Sequence, residues 1–277
     1  MIRTYYWNTR KASLKGYIKN RIFNPNKVVF RYGNAGDIFN ADLIEYLYGE
    51  KPNNILEEGN RLLLVGSIMS VIKKGDIING IGWKGNDLKE KKDIIESAKV
   101  YGGVRGPLTK SLFEKYGADL SNLKFEFDPG LLIRDVYNID VKKSKERQVL
   151  FIPHFRDLWI YKDYPKGVKV ISIDNKPETI IKEILKSSVV YASSLHGIIF
   201  SHALNKPCVF VAPQSEEPIF KYRDYFLSIG MEMPEPIKNI HSLNFNKDVQ
   251  TNLSKVFSSS DFYFPTKEEL DSSDIIS

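Results

Sequence analysis

Short apolar runs alternate with amphipathic stretches along most of the chain. The runs KVVFRY, RLLLVGS, GDIINGIGW and VYGGV are typical of strands, whereas DIFNADLIEYLYG and PLTKSLFEKYG carry apolar residues at helical spacing. In the second of these helices Pro107 occupies the first turn and Gly117 marks the end. This alternation predicts a parallel sheet covered by helices.

The alternation resumes after a polar stretch, NIDVKKSKERQ, where we predict a domain boundary. VLFIPH, VKVISID, SVVYAS and CVFV are typical of strands, and PETIIKEILKS and LHGIIFSHAL of helices. We therefore predict an α/β protein with two Rossmann-like domains facing a cleft. The predicted units are an N-terminal domain over 1–140, a C-terminal domain over 147–235 and a peripheral tail over 236–277. The tail either crosses back onto the first domain or is partly disordered.

Composition is that of a globular protein. The 277 residues, 42% of them hydrophobic, suffice for one large or two ordinary domains. No run approaches the ~20 apolar residues of a membrane-spanning helix, and the start MIRTYYWNTR is unlike a signal peptide. We therefore expect a cytoplasmic protein. The single cysteine, Cys208, is predicted to be a buried strand residue.

Positive charge is concentrated near the N-terminus. The formal net charge is +6, and residues 1–36 hold eight basic side chains and no acidic one. Within residues 10–27, Leu14, Ile18 and Ile22 recur at helical spacing among basic residues, which suits an anionic membrane surface. The alternative is a solvated basic loop, and most runs of charged residues are solvated segments of this kind. Nucleic-acid binding is not favoured, because no recognised binding motif accompanies the charge.

Six short motifs each follow a predicted strand: GNAGD, VGS, GGVRG, FDPG, IPH and SSLHG. Open parallel sheets bind their ligands beyond the carboxyl ends of the strands. These motifs are therefore the candidates for a binding site.

The motif SSLHG places polar side chains at the start of a predicted helix. Free amides and the helix dipole favour a bound phosphate or carboxylate near Ser193 and Ser194. Ser194 could equally be a plain N-cap. His196 is expected to face the cleft and to titrate near neutral pH, the alternative being a hydrogen-bonded packing histidine.

Three further motifs contribute candidate ligand contacts. Arg105, flanked by glycines, can bind a carboxylate or phosphate with two parallel hydrogen bonds, a surface ion pair being the alternative. In GNAGD, Gly36 belongs to a turn that holds the helix start against a substrate. Asp37 reaches sugar hydroxyls or simply caps the helix. His154 in IPH lies at the mouth of the second domain and could contact either substrate.

Other kinds of site find little support in the sequence. The histidines and the cysteine lack metal-ligand spacing such as HExxH, and neither GxGxxG, the phosphate-loop pattern nor GxSxG occurs. We therefore expect no metal and no cofactor. His202 is expected to be a packed residue, and His241 a loop residue without a role.

In their order along the chain, GNAGD, VGS, VRGPLT, FDPG, IPH and SSLHGIIFSHALNKP resemble the polysaccharide pyruvyltransferase family over about residues 30–212. The resemblance implies a glycosyltransferase-B-like fold and phosphoenolpyruvate as donor substrate. The implied acceptor is a hexose or N-acetylhexosamine of a cell-surface polysaccharide or its lipid-linked precursor, and the implied product a pyruvate ketal. It further implies a donor-binding role for Arg105, a catalytic role for His196 and a substrate contact at Ser67 in VGS.

One departure from the family pattern concerns the donor. Some members have an arginine immediately before the Leu-His pair, where this chain has Ser194. A cationic donor contact would then come from elsewhere, and Arg223 in KYRDYF and Lys84 in GWKG are the candidates. His196 is the candidate for delivering a proton to the terminal carbon of phosphoenolpyruvate. Such a proton-transfer group typically raises the reaction rate ~10²–10⁴-fold.

Two rival functions stay open at this point. The first is a nucleotide-sugar glycosyltransferase on the same scaffold, since fold does not determine chemistry. No acidic metal-binding pair or base-stacking pocket favours it. The second is a noncatalytic glycan-binding relative, against which Arg105 and His196 argue. A lipid-linked acceptor at the inner face of the membrane is a further expectation, based on the basic N-terminal segment and the resemblance.

Overall fold

The computed structural model describes residues 1–8, 11–24, 29–57, 59–141, 148–161 and 163–276. Within these ranges the chain forms two parallel sheets, a five-stranded sheet in the order β2-β1-β3-β4-β5 and a four-stranded sheet in the order β7-β6-β8-β9. The strands are β1 (Ile2–Thr4), β2 (Pro52–Asn54), β3 (Leu62–Leu63), β4 (Ile77–Ile78), β5 (Lys99–Val100), β6 (Gln148–Ile152), β7 (Val168–Val170), β8 (Ser187–Ala192) and β9 (Cys208–Phe210). The α/β class with parallel sheets is therefore confirmed.

The helices lie between and after these strands. They are α1 (Leu14–Phe23), α2 (Ala35–Tyr48), α3 (Lys92–Glu96), α4 (Pro107–Lys115), α5 (Ile133–Val136), α6 (Pro177–Leu185), α7 (Leu195–Ala203), α8 (Phe220–Ser228) and α9 (Lys267–Ser272). The helices predicted from DIFNADLIEYLYG, PLTKSLFEKYG, PETIIKEILKS and LHGIIFSHAL are confirmed as α2, α4, α6 and α7. Helix α2 ends at Gly49, whose φ of 65° is the left-handed conformation that a glycine C-cap adopts readily. No helix in the described ranges is long and apolar enough to cross a membrane.

The first strand is not where the sequence predicted it. KVVFRY was expected to form a strand, but among its described residues only Phe30 pairs, in an isolated bridge with Lys11. The strand that pairs with both β2 and β3 is β1, in the opening segment that seemed merely polar and aromatic. Three residues are too few for a periodicity signal, and burial of Ile2 and Thr4 distinguishes this strand.

The C-terminal segment returns to the first sheet. Ile276 forms an antiparallel bridge with Ile2, and the amide of Arg3 donates to the carbonyl of Ile275 at 2.9 Å. Tyr263 stacks on Tyr101 with ring centroids 5.5 Å apart. These last described residues therefore pack against the first sheet, in keeping with the alternative in which the tail crosses back onto the first domain.

One hydrophobic cluster contains buried residues of both sheets. It includes Leu62 of β3, Leu150 of β6, and side chains of α2 and α7, which meet where Phe39 packs edge-on against Phe200 with centroids 5.7 Å apart. The two predicted domains thus share this hydrophobic core.

The predicted limits of the two domains stay predictions, and so does the glycosyltransferase-B-like arrangement of two Rossmann-like domains. Residues 142–147 of the predicted boundary lie outside the described residues.

Candidate active site

A pocket of about 300 Å³ lies where strands of both sheets end. Its walls come from the starts of α2 and α7 and from the segments after β3, β4 and β6. Six of the ten predicted site residues line it: Asp37, Ser67, Lys84, His154, Ser194 and His196. The remaining four do not line the pocket; they are Gly36, Arg105, Ser193 and Arg223.

The GNAGD turn presents Asp37 to the pocket. Asn34 is the N-cap of α2, because its side-chain oxygen accepts from the amide of Gly36 at 3.0 Å. The alternative in which Asp37 is the cap is therefore wrong. Burial raises the pKa of Asp37 to about 7, against the opposing effect of Lys221 and Lys84. Near neutral pH this carboxyl can both hold and release a proton.

The turn itself is fixed by a carboxylate from the other half of the chain. Asp174 accepts hydrogen bonds from three successive amides, those of Arg31 (2.8 Å), Tyr32 (2.8 Å) and Gly33 (3.0 Å). The amide of Ala35 donates to the carbonyl of Ile173 at 2.8 Å. The loop after β7 thus holds the start of α2 in place at the pocket.

The two serines of SSLHG have different positions. Ser193 is fully buried, accepts from the amide of His154 at 2.7 Å and donates to Asp157 at 3.2 Å, so its hydroxyl supports the IPH loop from behind. Ser194 occupies the N-cap position of α7, but its side chain makes no capping hydrogen bond. The plain-cap alternative is therefore not realised. Its side chain lines the pocket beside first-turn amides, which have no acceptor within the helix.

His196 lines the pocket, as expected, and the residue is only 7% exposed. Its Nε2 has no hydrogen-bond partner among the described residues, which excludes the hydrogen-bonded packing alternative for this atom. The ring packs against Gly36, where a Cβ would lie 2.0 Å from the imidazole. Burial, reinforced by Lys221 and Arg105, lowers the pKa of His196 to about 3. The expectation that His196 titrates near neutral pH is therefore wrong, because the imidazole is neutral there.

Arg105 lies beneath the pocket and does not line it. Its guanidinium is fully buried, forms an ion pair with Asp224 at 3.0 Å, and donates to Ser67 Oγ at 2.5 Å and to the carbonyl of Trp83. The surface ion pair considered above is thus replaced by a buried one. Arg105 contacts the pocket lining through Ser67, and its donor-binding role stays a prediction.

The other residues of VRGPLT complete this buried link. Asp224 accepts from the amides of Leu108 (2.9 Å) and Thr109 (3.1 Å) and from Thr109 Oγ1 (2.6 Å). Asp224, a residue of α8, therefore caps the start of α4. At Gly106 a Cβ would lie 2.4 Å from the carbonyl oxygen of Asp224, so the close approach requires glycine. The motif joins the two halves of the molecule under the pocket.

A cluster of cations surrounds one carboxylate in the pocket. Glu217 lies 2.6 Å from Lys221 Nζ, 3.2 Å from Lys84 Nζ, 3.4 Å from Arg156 and 3.7 Å from His154 Nε2. Burial alone would raise the pKa of Glu217, but the positive charges of Lys221 and Lys84 lower it to about 2. Burial lowers the pKa of Lys221 to about 8 and, with Lys221, that of His154 to about 2. At neutral pH the cluster therefore holds three cations, one carboxylate and a neutral histidine.

Of the two cationic donor contacts suggested by the sequence, Lys84 lines the pocket and Arg223 in KYRDYF does not. Arg223 lies on the exposed face of α8, outside the pocket lining, whereas Lys221 is 7% exposed and lines it. Spacing could have indicated this, because Lys221 and Asp224 are three residues apart in α8, which places them on the same side of the helix, and both are buried. Arg156 carried no comparable signal.

The remaining expectations concern single residues. His202 is buried between the hydroxyls of Tyr225 (2.9 Å) and Thr251 (2.8 Å), which confirms a packed histidine. Cys208 is a buried residue of β9, as predicted. Across the described residues, no group of three or more His, Cys, Asp or Glu side chains is arranged to hold a metal ion.

Fold and site together define an α/β protein with a cationic pocket at the ends of parallel strands. Residues 17–215 match the model of the family described as polysaccharide pyruvyl transferase. The chain therefore belongs to the polysaccharide pyruvyl transferase family, a class of transferases acting on polysaccharides. This confirms the family that the motifs indicated.

Two curated proteins and one solved structure are similar to the chain. An uncharacterized protein of Acanthamoeba polyphaga mimivirus is 28% identical over 76% of this chain and 78% of its own length. The succinoglycan biosynthesis protein ExoV of Rhizobium meliloti (strain 1021) is 25% identical over 73% of this chain, and the match spans 63% of that protein, less than two thirds. A crystal structure of an uncharacterized protein from Klebsiella pneumoniae is 14% identical, with a TM-score of 0.43 over 79% of this chain and 96% of that one.

Proposed function

We propose that this protein transfers pyruvate from phosphoenolpyruvate onto a hexose or N-acetylhexosamine of a cell-surface polysaccharide or its lipid-linked precursor, forming a ketal. The observation that carries the proposal is the cluster of Lys84, Arg156 and Lys221 in the same pocket as His196. Three cations converge there on the single carboxylate of Glu217.

The charge of the cluster suits a small polyanion. Phosphoenolpyruvate carries a carboxylate and a phosphate, both of which form strong charge-assisted hydrogen bonds with lysine and arginine. First-turn amides of α7 and the hydroxyl of Ser194 offer further donors beside these cations. The cluster also supplies the cationic contact that an arginine before Leu195 provides in some family members. The departure at Ser194 is thus compensated by Lys84, which sequence reasoning named, and by Lys221 and Arg156, which it did not.

The charge states of the pocket suggest how protons move. Addition of a sugar hydroxyl to the central carbon of phosphoenolpyruvate requires a proton on its terminal carbon and removal of the hydroxyl proton. Asp37, with a pKa of about 7, suits the proton donor. His196 suits the acceptor, because it is neutral, its Nε2 has no partner among the described residues, and the negative charge of bound phosphoenolpyruvate would raise its lowered pKa. We therefore exchange the roles expected from the sequence, in which His196 was the donor.

Closure of the ketal ring returns Asp37 and His196 to their starting protonation states. After the first addition, the bond from the central carbon to the phosphate oxygen breaks, and phosphate leaves with the proton held on His196. A second sugar hydroxyl attacks the same carbon and gives its proton to the Asp37 carboxylate. The products are the ketal and inorganic phosphate, and the lysines and Arg156 stabilise the charge that develops as phosphate leaves.

A product assay tests the proposal. The purified protein is incubated with phosphoenolpyruvate and a panel of hexose and N-acetylhexosamine oligosaccharides, with phosphate release and product mass as readouts. We expect acceptor-dependent phosphate release and a pyruvylated product, lost in His196→Ala and kept in His202→Gln, a histidine outside the pocket. Parallel reactions contain nucleotide sugars in place of phosphoenolpyruvate. Transfer of a sugar in these reactions, with no pyruvylated product in the first set, would contradict the proposal and favour the glycosyltransferase alternative.

A further inference from the structure

Helix α1 presents an apolar stripe to solvent. The exposed fractions are 50% for Leu14, 48% for Ile18, 66% for Ile22 and 70% for Phe23. At 100° per residue, the first three side chains span only about 80° of the helix surface. Such a contiguous apolar surface usually marks an interaction site, because isolated exposed apolar residues are common but aligned ones are not.

The same side of α1 carries only basic charge. Lys15 and Lys19 are exposed and lie, by helical spacing, between the stripe and Phe23. The helix contains no acidic residue, and residues 1–36 contain none. The half-buried Tyr17 and Asn20 are on the opposite side. The helix therefore packs through its polar side and exposes an apolar and basic one, the reverse of an ordinary surface helix.

The charges favour one occupant. A second copy packed on this stripe would bring lysines against lysines, with no acidic residue of α1 to pair with them. An anionic bilayer meets both requirements, because its interior accepts the apolar side chains and its headgroups attract the lysines. We propose that α1 is an interfacial helix that docks the protein on an anionic membrane surface.

The helix is connected to the pocket wall. The amide of Ala12, just before α1, donates to the carbonyl of Phe30 at 2.8 Å, and Phe30 lines the pocket. Docking through α1 would therefore hold the pocket close to the bilayer surface. The inference rests on α1 alone and does not depend on the reaction proposed for the pocket.

Vesicle co-sedimentation tests the inference. The full chain is mixed with vesicles of phosphatidylglycerol and phosphatidylcholine in equal parts, and with phosphatidylcholine vesicles. We expect binding to the first and little to the second, weakened by salt. Each lysine near an anionic surface should strengthen binding by a factor of about five, so Lys15→Gln/Lys19→Gln should weaken it about thirty-fold. Ile18→Ser/Ile22→Ser should weaken it at least about ten-fold.

Matched variants distinguish the stripe from general surface properties. Val249→Ser/Val256→Ser removes two exposed apolar side chains elsewhere, and Lys89→Gln/Lys238→Gln two exposed lysines. Both controls should bind like the unmodified chain, and all variants should keep its thermal unfolding midpoint. Equal binding by the α1 variants, or no binding by the full chain, would overturn the inference. So would a concentration-dependent dimer that only the α1 variants abolish, which would assign the stripe to a second copy.

Discussion

The imidazole of His196 packs directly against Gly36, and a Cβ at position 36 would come within 2.0 Å of the ring. The two residues begin α7 and α2, so this contact brings SSLHG and GNAGD together in one pocket. Glycine at position 36 is therefore needed for the position of the histidine.

Replacing Gly36 by alanine should displace the ring of His196. We expect kcat to fall at least about ten-fold, with a loss of about 1–3 kcal/mol in unfolding free energy from the forced repacking. Steady-state kinetics and denaturant unfolding measure both. Gly16→Ala, where the added Cβ meets no atom closer than 3.3 Å, is the matched control and should keep kcat. An unchanged kcat in Gly36→Ala would show that the ring position does not matter.

Lys221 should contribute to donor binding. In Lys221→Met we expect KM for phosphoenolpyruvate to rise about ten-fold or more, because a charge-assisted hydrogen bond in a buried pocket contributes about 1.5–3 kcal/mol. Arg223→Met on the exposed face of the same helix is the control and should leave KM unchanged. If both variants had the same KM as the unmodified protein, the cation cluster would not be the donor site.

The raised pKa of Asp37 makes stability depend on pH. Its pKa is about 7 in the folded protein against 3.8 in the unfolded reference, so the folded state holds its proton more tightly. The resulting stability is fully present below about pH 3.8 and is lost as the pH rises through about 7.

Asp37→Asn removes this dependence. Its unfolding free energy relative to the unmodified protein should therefore rise between pH 5 and pH 8, by at least about 1 kcal/mol. Urea unfolding at the two pH values measures it. A constant difference would mean that the carboxyl is already ionised throughout this range.

The buried pair of Arg105 and Asp224 should act mainly on stability. Removing either partner leaves an uncompensated buried charge, so Arg105→Met and Asp224→Asn should each cost about 3–5 kcal/mol. The double variant should cost clearly less than the two single costs together, as a double-mutant cycle by denaturant unfolding would show. If Arg105→Met raised KM for phosphoenolpyruvate while Asp224→Asn did not, the donor contact predicted for Arg105 would be supported instead.

The sequence predicted the parts of the site that depend on neighbouring residues along the chain. SSLHG could be located because the strand β8, a turn and the start of α7 follow each other within a few residues, which brings His196 to a strand end. GNAGD could be located because the helical pattern of α2 begins there, although the described residues of the segment before it form an isolated bridge and no strand. The carboxylates of Asp174 and Asp224 could not be assigned in this way. Each binds amides more than 100 residues away, and no periodicity records such a contact.

Burial accounts for the other differences. The charge states of Asp37 and His196 depend on desolvation within a pocket built from both halves of the chain, which residue type alone does not reveal. Arg105 had the expected place at a strand end, but its guanidinium turns towards Asp224. Similarly, the choice between Arg223 and Lys221 depends on which side of α8 packs inward.

The most direct test of the central claim is a thermal-shift titration of the purified protein with phosphoenolpyruvate beside a panel of nucleotide sugars. A ligand that binds only the folded state raises Tm with its concentration. We predict a shift with phosphoenolpyruvate that is lost in Lys221→Met and kept in Arg223→Met. A shift with a nucleotide sugar and none with phosphoenolpyruvate would contradict the proposed reaction.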